Sequence, residues 1–295
     1  MRTNLGATEV PPLQAFISEA SLPEEEMDLA KAALLLAAQE YVELDIVAYL
    51  GRISLLAERA RALMPGRPSF YDAVHAISMV LFDQEGMRGN SESYYDPRNS
   101  YLNDVLDRRT GIPITLSVLY MEVGERTGQR FRGIGMPSHF ILAAGQGPSE
   151  VFIDPFNLGG LLSRKEALTM ALRGKEVPKE TTAAMARRLL PLADKRAILR
   201  RMLNNLKQAF GKQNDYRRGA RLAECIRALE PEDWRNLSDL ARFQTELGRY
   251  SDAADSLTAF IERAPAGVDM RLAESALRQL RALAYGRAER DEVKG

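Results

Sequence analysis

The feature that most constrains this chain is a 34-residue period in its C-terminal third. Tyr216 and Tyr250, Ala220 and Ala254, and Pro231 and Pro265 are each 34 positions apart, and Leu203/Leu237, Leu206/Leu240 and Ile226/Phe260 keep the same offset. In both copies the tyrosine precedes the proline by 15 residues, with a small residue, Gly219 or Ala253, between them. A fixed period of this size marks stacked supersecondary units, because a single unit cannot bury its apolar face alone. Each copy reads as a helical hairpin that packs on its neighbour, and residues 269–288 read as a capping helix.

The spacing resembles that of tetratricopeptide (TPR) repeats. It predicts an all-α domain over 196–290, with units at about 200–233 and 234–267. On the first helix of each unit, Arg201, Asn205 and Gln208 correspond to Arg235, Asp239 and Arg242. These positions are polar in both copies and lie opposite the repeating leucines, which makes them groove candidates. A solvated helix face is the competing reading.

The N-terminal part has a different pattern. Residues 1–20 read as a tail, and Ser21 with Glu24 has the spacing of a capping box. Beyond it Leu29, Ala33, Leu36 and Ala37 share one helical face. A second helix is expected over 46–64, stopped by Pro65-Gly66, and a third over 71–84. Tyr94 to Asn99 reads as a loop, followed by a short helix over 101–109 with Ser100 as its cap. Pro113 suits the first position of a helix, where its missing N–H costs nothing. The helix from Pro113 to Arg126 is apolar on nearly every side, as expected at the centre of a domain.

After Gly128 the pattern changes to short apolar runs, 131–134, 139–143 and 151–153, which read as strands. The last two flank Gly145-Gln146-Gly147-Pro148. Opposed residues of an antiparallel hairpin are symmetric about its turn, and His139 and Asp154 are symmetric about the Gln146–Gly147 bond. That register puts the two side by side on one face, and a bulge would shift it. Residues 166–195 read as a connecting segment, with helical pieces broken at Gly174, Pro178 and Pro191.

Composition narrows the function classes. Forty Lys and Arg balance forty Asp and Glu, and no basic run stands out. Nucleic acid and anionic membranes are therefore not expected partners. The longest apolar run, Ala32 to Ala38, is far below the ~20 residues that span a bilayer. The first ten residues show no signal-peptide core. One cysteine, Cys225, and two histidines, His75 and His139, leave no Cys/His metal set. A reducing, cytoplasmic setting is expected, with no metal and no cofactor.

The run NSYLNDVLDRRTGIPITLSVLYMEVGERTG from Asn99 to Gly128, followed by GMPSHFIL and FIDPFNLGG, resembles the SirB-type transglutaminase-like/TPR family of bacterial proteins. The likeness extends over residues 25–290. It implies an α+β fold: a helical lead-in and a papain-type core with a small antiparallel sheet at 21–165, followed by the TPR domain. Active members of the wider superfamily place a Cys at the N-terminus of a buried helix, a His on the following strand and an Asp on the next. A helix N-terminus lowers a thiol's pKa, the His takes its proton, and the Asp orients the His. His139 and Asp154 match the second and third positions. The nucleophile's place falls at Pro113 or Ile114, and Cys225 sits in a TPR helix, where a small packed apolar residue is expected.

His139 with Asp154 is thus either a retained acid–base pair or a strand-end bond that pins a hairpin. Thr115 and Ser117 offer hydroxyls near the helix start, although such groups in buried helices usually bond a preceding carbonyl. Asn103, Tyr95 and Asp96 are cleft candidates by the same resemblance, with turn chemistry as the alternative. Arg108-Arg109 offers an anion site or a favourable interaction with a helix dipole. His75 reads as structural. The expected function is a non-enzymatic binding protein for a protein or peptide. The alternative is a hydrolase or acyltransferase using His139, Asp154 and a hydroxyl or activated water. A regulatory role follows from the family name alone, and the oligomeric state stays open.

Overall fold

A buried helix, α6 (Pro113–Arg126), anchors the first half of the molecule: residues 113–120 and 122–124 are all buried. The computed structural model describes residues 11–292 except 146, 148, 149 and 179. The chain divides into two units, residues 1–202 and 203–295.

The first unit begins with α1 (Pro12–Ala20), so only residues 1–10 of the expected tail lie outside the described residues. Phe16 and Ala20 are buried by α1's packing against α2 (Leu29–Ala38). The cap of α2 is Asp28, which accepts from Lys31 N at 2.9 Å, and not the Ser21/Glu24 box expected from spacing. Glu24 instead accepts from the backbone N–H of Lys195, far along the chain. Every residue of α2 except Lys31 is buried, so the single apolar face expected there is in fact a buried helix.

Helix α3 (Ile46–Leu63) is capped by Asp45, and α4 (Phe70–Ser78) by a Ser69/Asp72 capping box. The helix expected to continue to residue 84 instead widens into a π-helical turn at Met79–Gln84. Helix α5 (Leu102–Arg108) starts after Tyr101 and ends on Arg109 at φ 56. Two short strands not foreseen from sequence, β1 (Arg88–Gly89) and β2 (Thr110–Gly111), pair in parallel just before α6.

A five-stranded sheet follows, in the order β6-β5-β4-β3-β7: β3 (Arg132–Met136), β4 (His139–Ala144), β5 (Val151–Asp154), β6 (Gly160–Leu162) and β7 (Leu192–Ala193). Every pairing in it is antiparallel. Ile134, Met136, Ile141, Ala143 and Phe152 pack with side chains of α7 (Arg164–Ala171) and α8 (Ala183–Leu189). The connecting segment thus carries α7 and α8, where helical pieces were expected, and adds an edge strand, β7, that the sequence did not foresee.

The repeats form helical hairpins. Helix α9 (Lys195–Lys212) begins in the first unit and ends in the second. It is followed by α10 (Tyr216–Leu229), α11 (Trp234–Glu246), α12 (Tyr250–Arg263) and α13 (Arg271–Glu292). The small position of the repeat has a direct use at Gly219: a Cβ there would sit 2.9 Å from the ring of Phe243. Asn236 donates to Ala223 O at 2.7 Å, and Ser256 donates to Gln244 at 2.8 Å, so these buried polar groups are satisfied.

Candidate functional site

The turn between β4 and β5 decides where His139 and Asp154 meet. The ladder pairs Leu142 with Ile153 and Ala144 with Val151. Its centre of symmetry falls one residue later than the sequence suggested, and continuing the ladder sets Asp154 across from Ile141. A shift of two residues in partner keeps both side chains on the same face, because side chains alternate with a period of two. His139 is therefore the diagonal neighbour of Asp154, within reach of two long polar side chains.

His139 Nε2 lies 2.9 Å from Asp154 Oδ2. The imidazole side chain is 18% exposed and the carboxylate 1%. Asp154 also organises the turn that follows it. Its Oδ1 accepts from Phe156 N at 3.1 Å and Asn157 N at 3.4 Å, and its Oδ2 accepts from Asn157 Nδ2 at 2.7 Å. Gly159 N donates to its carbonyl at 2.9 Å. Burial works to raise the Asp154 carboxyl, but the hydrogen bond and charge of His139 and the bonds from Asn157 outweigh it and hold the pKa below the ordinary 3.8. Nε2 is thus the ring nitrogen committed to the carboxylate.

Phe156 connects this pair to the start of α6. Its ring meets the His139 ring edge-on at 5.9 Å. The same ring lies over Gly89, where a Cβ would come within 2.6 Å of it, and Gly89 is paired with Gly111. Phe156 and Asn157, with Phe82, Arg88, Gly89 and Leu158, line a pocket of about 430 Å³. Leu158 is exposed and held at φ 58.

The start of α6 is occupied by buried apolar groups, Pro113 and Ile114. Thr115 is fully buried and its hydroxyl is committed: it donates to Asn99 O at 2.6 Å and accepts from Ile112 N at 3.2 Å. That commitment counts against the nucleophilic reading of Thr115. Ser117 is fully buried too, and its hydroxyl has no partner among the described residues. No hydrogen bond joins His139 to Pro113, Ile114 or Thr115 among the described residues.

Asn99, which the sequence did not single out, ties the preceding loop to this helix. Its amide donates to Ser93 O at 2.8 Å and Tyr94 O at 3.3 Å, and accepts from Asn90 at 3.1 Å. Tyr95 is exposed and meets Tyr94 edge-on. Asp96 caps the short turn Pro97–Asn99 and pairs with Arg98 and Arg108, so turn chemistry accounts for it. Its carboxyl is held low, chiefly by the Arg98 hydrogen bond. Asn103 is buried in α5 with its Oδ1 unpartnered among the described residues, and it makes no bond to the His–Asp pair.

Arg201 departs most from its expected role. The 34-residue period assigned it to a repeat groove beside Asn205, but it belongs to the first unit. It donates to Met136 O at 2.8 Å and His139 O at 2.7 Å, the two ends of the β3–β4 turn, and lies over the Phe140 ring at 5.5 Å. Within that turn Ser138 is held at φ 64.

In the second unit, Asn205 is half-buried and Gln208 exposed. Asp239 is bound by Lys207 at 2.7 Å, and Lys207 also donates to Asn236 at 3.0 Å. Arg235 stacks over Trp234 and Arg242 over Phe243. Cys225 is buried in α10. Among the described residues no group of three metal-ligating side chains occurs, and no helix is long and apolar enough to cross a membrane.

Comparison with known proteins follows the same division. Residues 47–204 match the transglutaminase-like superfamily, and residues 206–278 match a tetratricopeptide repeat. A UPF0162 protein of Xylella fastidiosa (strain 9a5c) is 36% identical, covering 88% of this chain and 92% of its own length. A UPF0162 protein of Vibrio cholerae is 28% identical over 64% of this chain and 69% of its own. F-box only protein 21 of Mus musculus is 36% identical over 42% of this chain, which is 22% of that protein.

Proposed function

The chain belongs to the UPF0162 proteins of the transglutaminase-like superfamily, and from that premise we propose that it is a non-enzymatic protein- or peptide-binding protein built on a degenerate transglutaminase-like core. The observation that carries this reading is the combination at α6 and β4. The position a nucleophile would need holds buried Pro113 and Ile114, while the His139–Asp154 pair keeps a 2.9 Å bond and an accessible imidazole. An oriented imidazole without a nucleophile can still donate or accept a hydrogen bond from a bound backbone. The tetratricopeptide repeats add a second interaction surface, since stacked helical hairpins bind peptides through extended faces. Arg235, Asp239, Arg242, Asn205 and Gln208 remain its candidate contacts.

The test uses peptides selected for binding to the full chain, followed by His139→Ala. Binding should fall at least tenfold under conditions where the variant is still fully folded, although leaving buried Asp154 without its imidazole lowers the urea midpoint. Unchanged binding in His139→Ala would remove the pair from the ligand site. A second reading, a hydrolase or acyltransferase with an activated water, draws on the same intact pair. Mass spectrometry of each bound peptide after incubation separates the two: cleaved or transferred products favour the enzyme, and an intact peptide favours the binder.

A further inference from the structure

Arg201 is a half-buried cation without a counter-charge. Among the described residues no carboxylate pairs with it, and the neighbouring ionisable group is Tyr94. Tyr94 itself is pushed up by burial. Buried guanidinium groups are normally matched by a carboxylate, because their desolvation is costly when unpaired. The nearby carboxylate of the pair, Asp154, is spent on His139, Asn157 and its own turn. Of the five N–H donors of a guanidinium, Arg201 uses two, on Met136 O and His139 O. Arg201 is thereby anchored to the carbonyl of His139, the residue that presents the imidazole, and Tyr94 is close by.

We propose that Arg201 and Tyr94 form a carboxylate-binding subsite beside His139, taking the C-terminal carboxylate or an acidic side chain of a peptide ligand. The proposal deepens the binding reading above and rests on it for the peptide. A guanidinium favours a carboxylate over a neutral amide through charge-assisted, often paired hydrogen bonds. It also gives the unusual placement of Arg201 a use beyond holding the β3–β4 turn, for which an uncharged donor would serve.

The test is an NMR titration of the full-length chain, following the Arg201 Nε–H and His139 ring signals. Three probes are compared: N-acetyl-Ala-Ala with a free carboxylate, the same dipeptide as its C-terminal amide, and N-acetyl-Glu-amide. Saturable shifts from the free-acid dipeptide alone assign a C-terminal carboxylate. Shifts from the glutamate probe alone assign an acidic side chain, and both support the subsite. Equal shifts from the neutral amide, or no saturable shift from either carboxylate, overturn it. Arg201→Gln should weaken the carboxylate probe at least tenfold, and Arg201→Lys should recover part of that loss. If Arg201→Gln fails to fold, Tyr94→Phe, expected to weaken binding several-fold, replaces it. An unchanged affinity in Tyr94→Phe together with Arg201→Lys would also overturn the proposal. A neutral amide that binds as well as the acid leaves the peptide-binding reading standing, whereas loss of peptide binding altogether is read from the His139→Ala experiment.

Discussion

At the scale of single residues, the site is held by groups that each do several jobs. Asp154 caps a turn, receives Asn157 and orients His139. A carboxylate whose pKa is lowered on folding contributes stability that is fully present above its unfolded value and fades as pH falls through its folded value. Asp154→Asn should therefore be less stable than the parent chain at neutral pH, and the gap should close progressively as pH falls below the ordinary carboxylate range and through the lowered folded-state value. Urea midpoints across that range check this, and a gap independent of pH would show that the charge is not its source. Thr115 is the second case. Its hydroxyl bridges Asn99 and Ile112 at the start of α6. Thr115→Val should cost about 1–2 kcal/mol, the usual worth of a helix cap plus a buried hydrogen bond. Thr115→Ser, which keeps the hydroxyl, should lose less. Chemical denaturation of the two variants measures the difference.

At the scale of elements, the turn after β5 concentrates both strain and bonding. Leu158 is exposed at φ 58, a left-handed conformation that costs a branched residue roughly 1–2 kcal/mol. Gly159 follows at φ 72, in a place where a Cβ would meet Ser78 and Phe82. Four bonds to Asp154 hold the segment in that shape. Such strain persists only where the surroundings over-determine it, and it is common near ligand sites. Leu158→Asn should stabilise the protein by about 0.5–1 kcal/mol, because Asn tolerates the left-handed region and little packing is lost. A thermal shift upward is expected. A shift downward would mean that Leu158 packs more tightly than its exposure implies.

At the scale of the whole chain, the end of the first unit lies inside α9, not before it. Lys195 N donates to Glu24, Lys195 Nζ to Met27 O at 2.6 Å, and Arg201 to Met136 O and His139 O. A chain ending at Met202 should thus be more stable than one ending at Asp194, by about 2–3 kcal/mol for the charge-assisted bonds it keeps. Circular dichroism with urea compares them. Equal midpoints would place the first turns of α9 outside the folded unit. The tetratricopeptide part, by contrast, follows its period closely, from Tyr216 at the start of α10 to Tyr250 at the start of α12.

What the sequence determined by itself is whatever short-range chemistry dictates. Pro113 fixes the first residue of α6, the 34-residue period fixes the hairpins, and the GMPSHFIL and FIDPFNLGG runs identify β4 and β5. The family likeness was legible for the same reason, since its motifs are continuous stretches of chain. Only the tertiary structure decided the exact partners. The β4–β5 register moved by one residue at the turn, which no apolar alternation could detect because a two-residue change of partner preserves every face. The Ser21/Glu24 box yielded to a bond between Glu24 and Lys195, and Arg201 left its repeat position for the carbonyls beside His139. Asn99 went unnoticed because folding alone brings its carbonyl to Thr115 at the helix start, whereas Asn157 bonds Asp154 three residues away, a local turn contact that the sequence offered. Local propensity is written along the chain, whereas satisfying a buried charge or carbonyl depends on whichever donor the fold delivers to it.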